Sequence, residues 1–119
     1  MSALYRKNLK KKIGITGGTS VIGRKLIKKL NQKVTLFKND INKKNEVNYW
    51  VKKNQFDTII HLAAIVPIDK FNKSKVKSFN TNLIGTKNIV DALKKFSKKK
   101  VWFFFSSTSH VYKVKKKKN

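Results

Sequence analysis

At 119 residues the chain is long enough for one domain with a real hydrophobic core, and shorter than most complete cofactor-dependent enzymes. It has no cysteine, which excludes a disulfide framework and a thiolate metal site, and its two histidines leave nothing from which to build a zinc centre. Thirty Lys and Arg against five Asp and Glu give a net charge of +25, enough to attract any polyanion without specificity. Nearly all of that charge is Lys, spread along the chain beside many Asn and Ile. It reads as a codon bias, and no specific nucleic-acid partner is expected.

Residues 1–10 read as a basic leader with no apolar stretch behind it. The longest apolar run, 59–68, contains His61 and is too short to span a bilayer, so the expectation is a soluble, cytoplasmic protein without a membrane partner. A first strand is expected over 11–16, followed at 16–23 by the turn TGGTSVIG. A strand ending in a glycine-rich turn that opens into a helix aims backbone N–H groups and the positive end of the helix dipole at one point, which suits a phosphate. Gly17 and Gly18 can take positive φ, Gly23 lets the helix lie close to the strand, and Ser20 is placed to cap it. In the helix over 21–30, Val21, Ile22, Leu26, Ile27 and Leu30 form an apolar stripe, with Arg24, Lys25, Lys28 and Lys29 opposite.

The β-branched run KVTLF at 33–37 predicts a second strand parallel to the first. A short amphipathic helix is expected within 40–53, with Val47, Trp50 and Val51 on one face. DTIIHLAAIVP at 57–67 has the uninterrupted apolar character of a strand buried on both faces of a parallel sheet. A long helix is expected over 74–97, with a stripe of Val76, Phe79, Leu83, Val90, Leu93 and Phe96 and a central Gly85. VWFFF at 101–105 predicts another buried strand, after which come SSTSHVY and a lysine-rich tail at 113–119. The alternation predicts one doubly wound α/β domain over 11–112, with a parallel sheet of Rossmann type whose first strand-to-helix turn is the phosphate site.

Four segments in order, TGGTSVIG, DTIIHLAA, NLIGTKN and SSTSHVY, resemble the extended short-chain dehydrogenase/reductases of the NAD-dependent epimerase/dehydratase group. The short link before Asp40 is similar to the dTDP-4-dehydrorhamnose reductase branch. The resemblance spans 13–112 and corresponds to the N-terminal portion of such proteins. It implies NADP or NAD as cofactor, a nucleotide sugar as substrate of the full-length family, and epimerisation, dehydration or reduction as the reaction; a homodimer is compatible with it. By the same resemblance, the backbone around Gly17, Ser20, Val21 and Ile22 holds the pyrophosphate. Asp40 and Ile41 match the acidic-aliphatic pair at the adenine, and Leu62, Ala63 and Ala64 match the strand end along the adenosine ribose. Ser20 departs from the family's glycine, where its Cβ could crowd a phosphate or its hydroxyl donate to one. Lys38 stands where an NAD enzyme carries an acid; it suits the 2′-phosphate of NADP or is one more surface lysine, and Arg24 stands under the same alternative.

Asn82 matches the asparagine that organises the family's catalytic centre, and Thr108 matches the substrate-orienting hydroxyl. Ser106 and Ser107 read as the end of the strand, His61 as a core histidine and His110 as a loop residue. The family's general base, a Tyr in a Tyr-x-x-x-Lys helix well downstream of the Ser/Thr segment, has no match. Tyr112 and Lys116 share its spacing but follow Thr108 directly within a lysine run, and Lys113 replaces the usual glycine. The expectation is therefore a truncated member that binds cofactor and does not turn over. The alternative is a non-catalytic basic module of the same fold that binds nucleic acid or another polyanion.

Overall fold

In the computed structural model of the chain, residues 10–65 and 75–106 are described. Thr108, His110, Tyr112, Lys113 and Lys116 lie outside them. Four strands form one parallel sheet: β1 (Ile13–Thr16), β2 (Val34–Phe37), β3 (Thr58–His61) and β4 (Trp102–Phe105), in the order β2-β1-β3-β4. Between them run α1 (Val21–Leu30), α2 (Lys44–Asn54), a short α3 (Lys75–Phe79), a π-helical segment (Asn80–Gly85) and α4 (Thr86–Phe96). The chain winds from β1 outward to β2, then returns across β1 to β3 and β4. The reversal lies between β1 and β3, beside the glycine turn, and in open α/β sheets that is where ligands bind.

Each element follows from a local cause. The Ser20 side chain caps α1 by accepting from Gly23 N at 3.0 Å, and Asn31 ends that helix in the left-handed region at φ 45°. Gln55, at φ 50°, ends α2, and its side chain donates to Phe96 O and accepts from Lys98 N, pinning the ends of α2 and α4 together. On one sheet face α2 and α4 bury Val47, Trp50, Val51, Phe56, Ile59, Ile89 and Ala92, and full burial of the Val, Ile and Phe side chains among them stabilises by about 1.5–3 kcal/mol each. On the other, α1 lays Leu26, Ile27 and Leu30 over Ile13, Ile15 and Ile60.

Several expected boundaries and faces change. β3 ends at His61 rather than continuing to 67, because Leu62 makes one more bond to Thr16 O and the chain then leaves the ladder. The helix expected over 74–97 is three pieces. Only its last piece lies on the sheet, so Val76, Phe79 and Leu83 of the expected stripe are exposed. Val21 and Ile22 sit at the open start of α1 and are exposed too. β4, expected to be buried, pairs on one side only among the described residues and exposes Trp102, Phe104 and Phe105.

Candidate cofactor cleft

The turn after β1 is built around Gly17, the one described glycine at positive φ, 71°. A side chain there would put its Cβ 2.6 Å from Ala63 N and 2.7 Å from the Leu62 carbonyl carbon, so the turn touches the end of β3 backbone to backbone. A Cβ on Gly23 would lie 2.5 Å from Gly17 O; its absence lets α1 start directly against the turn. Ser20 sits at φ −66°, ψ 163°, an ordinary extended conformation that needs no glycine. Its hydroxyl donates to Gly17 O at 2.8 Å while accepting from Gly23 N. That hydrogen is therefore used within the turn. Val21 and Ile22 open the helix, where N–H groups have no intrahelical acceptor, and both residues are exposed.

Beside the turn lies a cleft of ≈ 550 Å³, walled by Gly17, Gly18 and Thr19, by the end of β2 through Lys38 and Asp40 to Ile41, and by Ala63 and Thr81. The volume falls within the range of small-molecule and cofactor sites. Asp40 Oδ1 accepts from Asn42 N at 2.9 Å and from Asn42 Nδ2 at 3.1 Å, folding the β2–α2 link into a tight turn. Ile41 is buried against the site of Gly85, where a Cβ would lie 2.5 Å from its Cγ2. Asn88, buried on α4, donates from Nδ2 to Ile41 O at 3.0 Å and fastens the same link from below.

The cleft floor is held by a buried polar chain. His61 is 2 % exposed. Its Nδ1 lies 2.6 Å from Thr16 Oγ1, and its Nε2 lies 2.8 Å from Thr86 Oγ1. Thr86 Oγ1 donates to Asn82 O at 2.7 Å, and Ala63 N donates to Thr16 Oγ1 at 3.2 Å. Burial among Phe103 and Phe105 lowers the imidazole pKa to about 4, so the ring is neutral at pH 7. The Asn82 carboxamide grips the backbone of Ile65, accepting from its N at 2.7 Å and donating to its O at 2.9 Å.

The structure thus brings Gly17, Lys38, Asp40, Ile41 and Ala63 to one cleft, with Ser20, Val21 and Ile22 in the adjoining turn. The Leu62 side chain packs with Ile13, Ile15 and Ile60 on the α1 face, while its backbone lies against Gly17. Ala64 is exposed beyond the lining residues. Thr16, Thr86 and Asn88 were not singled out from sequence. Thr16 and Thr86 stand at positions the apolar pattern marks as buried, whereas Asn88 lies off the expected stripe and carries no such signal. Among the described residues there is no cluster of His, Asp or Glu able to hold a metal ion, and no helix is long and apolar enough to cross a membrane.

A parallel sheet with a glycine turn at its point of reversal and a cleft between that turn and the end of β2 defines a domain of the Rossmann type. The chain belongs to the GDP-mannose 4,6 dehydratase family, whose sequence profile matches residues 10–118. UDP-N-acetyl-alpha-D-glucosaminuronate decarboxylase of Bacillus cytotoxicus is 32% identical over 128 residues, covering 87% of this chain and 38% of that protein. The fold is similar to dTDP-4-dehydrorhamnose reductase from Bacillus anthracis in complex with NADP, at TM-score 0.66 and 27% identity, over 71% of this chain and 32% of that one. It is also similar to WbmH from Bordetella bronchiseptica in complex with NAD+, at TM-score 0.59 and 26% identity, over 71% of this chain and 36% of that one. In each case the chain spans under two-fifths of the relative's length.

Proposed function

We propose that this chain is the NAD(P)-binding portion of an enzyme that epimerises, dehydrates or reduces nucleotide-activated sugars, and that these 119 residues alone do not turn such a sugar over. The observation that carries the reading is the cleft. Its glycine turn presents the N–H groups of Val21 and Ile22, and it has no side chain at Gly17 and only a methyl at Ala63 where a sugar-phosphate backbone would lie. A dinucleotide pyrophosphate fits at the start of α1, and its adenosine fits between Ala63 and the Lys38 to Ile41 link. The nicotinamide, when bound, supplies the acceptor and donor of hydride. Lys38 is exposed at the cleft edge, which favours NADP at least as much as NAD.

Among the described residues, no acid is placed to serve as the base for chemistry beyond binding. Asp40 shapes its turn, Glu46 pairs with Lys43, Asp91 pairs with Lys87, and Asp57 lies at the opposite end of the strands, bonded to Lys12 N and Lys99. Asp69 and Thr108 lie outside the described residues. A threonine hydroxyl is in any case far too weak an acid to replace a phenol tuned by a lysine.

Val21→Pro tests the binding site without testing the fold. Proline is accepted at the first helical position, and Ser20 already holds the extended conformation that a following proline requires. The substitution deletes one N–H, and a hydrogen bond to a charged group contributes about 1.5–3 kcal/mol, so NADP affinity should fall roughly tenfold to a hundredfold at unchanged circular dichroism. Unchanged affinity by calorimetry would overturn the site; the same titration with NAD reads the choice of cofactor. Gly17→Val is the poorer probe, since it would disrupt the turn itself.

A concavity of ≈ 380 Å³ at the other end of the strands, lined by Lys10, Lys11, Lys12, Lys33 and Lys53, is the observation that favours the polyanion alternative. Polyanion affinity falls steeply with salt, whereas binding in a shaped cleft depends on salt less. Turnover is checked by nicotinamide absorbance over a panel of nucleotide-linked 4-keto and 4-hydroxy sugars, with a full-length relative as positive control. Background rates are expected, and turnover abolished by Tyr112→Phe would refute the claim.

A further inference from the structure

We propose that His61 is a positioning residue for the cleft floor: a neutral imidazole, bonded at both nitrogens to threonines, sets the backbone path of residues 62–65. Its consequence for cofactor affinity rests on the reading of the cleft given above, whereas its consequence for the backbone rests on the hydrogen bonds alone. In the β3 row that contains Thr16 and Phe105, an aliphatic side chain would pack without any desolvation cost. An imidazole does something an aliphatic cannot, which is to join a strand to a helix through two directed bonds.

The donors can be assigned by counting hydrogens. Asn82 O can only accept, so the Thr86 hydroxyl donates to it, and Thr86 Oγ1 is left as acceptor for His61 Nε2–H. Ala63 N can only donate, so Thr16 Oγ1 accepts from it, and the Thr16 hydroxyl hydrogen goes to His61 Nδ1. This assignment uses every hydrogen once. The opposite tautomer would leave the Thr16 hydroxyl without an acceptor and turn the Thr86 hydroxyl away from Asn82. A charged ring would present two donors, with the same defect at Thr16.

One end of the chain of bonds reaches the cleft at Ala63, and the other reaches the segment that continues from it. One ends at Ala63 N, whose position fixes the gap to Gly17. The other passes through Thr86 to the backbone of Asn82, whose side chain holds Ile65 by two bonds. His61 therefore couples the seat of Ala63 to the grip on Ile65 through Thr16 on one side and Thr86 on the other.

Thr86→Val removes the acceptor for Nε2–H at nearly constant shape, and Thr86→Ser restores it. The readouts are amide hydrogen exchange by NMR, long-range nitrogen spectra of the imidazole, and NADP titration. In Thr86→Val, exchange at Ala63 and Ile65 should quicken at least about tenfold while Ile15, in the middle of β1, is unchanged, and NADP affinity should fall; Thr86→Ser should recover both. Exchange that is unaltered at Ala63 and Ile65, or that rises equally at Ile15, would overturn the proposal. The parent protein supplies a test that needs no variant, because His61 must show the Nε2–H neutral form at pH 7, and an Nδ1–H or charged ring would overturn it. If the amides respond as stated in a chain that binds no NADP, the assignment of His61 stands and the cofactor reading falls.

Discussion

Ser20 does two things at the turn, and both are internal to the fold. It caps α1 and ties back to Gly17 O, so the side chain that departs from the family's glycine stabilises the turn that a ligand would use. His61 shows the opposite economy, since its ring is buried at a cost that its two bonds offset. That cost makes stability depend on pH. The folded pKa is about 4 against an ordinary 6.5, so the unfolded chain binds the extra proton first as pH falls. The contribution is complete above pH 6.5, is lost progressively between 6.5 and 4, and changes no further below that. The difference corresponds to about 3 kcal/mol at most. Asp57, whose pKa is lowered by its bonds to Lys99 and to Lys12 N, acts in a lower window, below the ordinary carboxylate value, so the two effects separate. Denaturant unfolding at pH 7 and at pH 4.5 should show the loss. Equal stability at the two values would mean that His61 charges inside the fold without penalty.

At the scale of elements, the parts set by local pattern were legible and the parts set by distant partners were not. Four apolar runs, each of strand length, became four parallel strands, and the alternation with helices gave the doubly wound topology. The break in the long helix left no such trace. A π-helical segment at Asn80–Gly85 adds to the turn without disturbing the three-and-four spacing on either side, so the periodicity ran through it. Gly85 marked the place, and its reason is Ile41, 44 residues earlier, packed where a Cβ would stand. Asn88 and Thr86 were equally opaque, because their partners lie in the β2–α2 link and on β3. Of the cleft, the glycine turn could be read from spacing, and Lys38, Asp40, Ile41 and Ala63 from resemblance. The polar chain under the floor required coordinates, since Thr16 meets His61 across 45 residues.

For the molecule as a whole, two surface features oppose each other. β4 leaves one edge unpaired among the described residues and exposes Trp102 at 60 % and Phe105 at 51 %, with Phe104 stacked on Trp102 at 5.9 Å. An open edge carrying large apolar side chains promotes association between chains. Against this, a net charge of +25 on 119 residues repels any second copy, and that repulsion is long-ranged only while salt is low. The Debye length is about 10 Å at 0.1 M and about 3 Å at 1 M, whereas burial of apolar surface does not weaken with added salt. Screening should therefore decide the outcome. The chain is expected to sediment as a monomer in dilute buffer and to self-associate as sodium chloride approaches about 1 M. Phe104→Lys, which places a charge on the apolar strip and leaves the β3 ladder intact, should hold it monomeric throughout. Sedimentation velocity across a salt series makes the comparison. A parent that stays monomeric at high salt would show that the β4 edge is already protected, and association unaffected by Phe104→Lys would place the contact on another surface, such as the exposed Val76, Phe79 and Leu83.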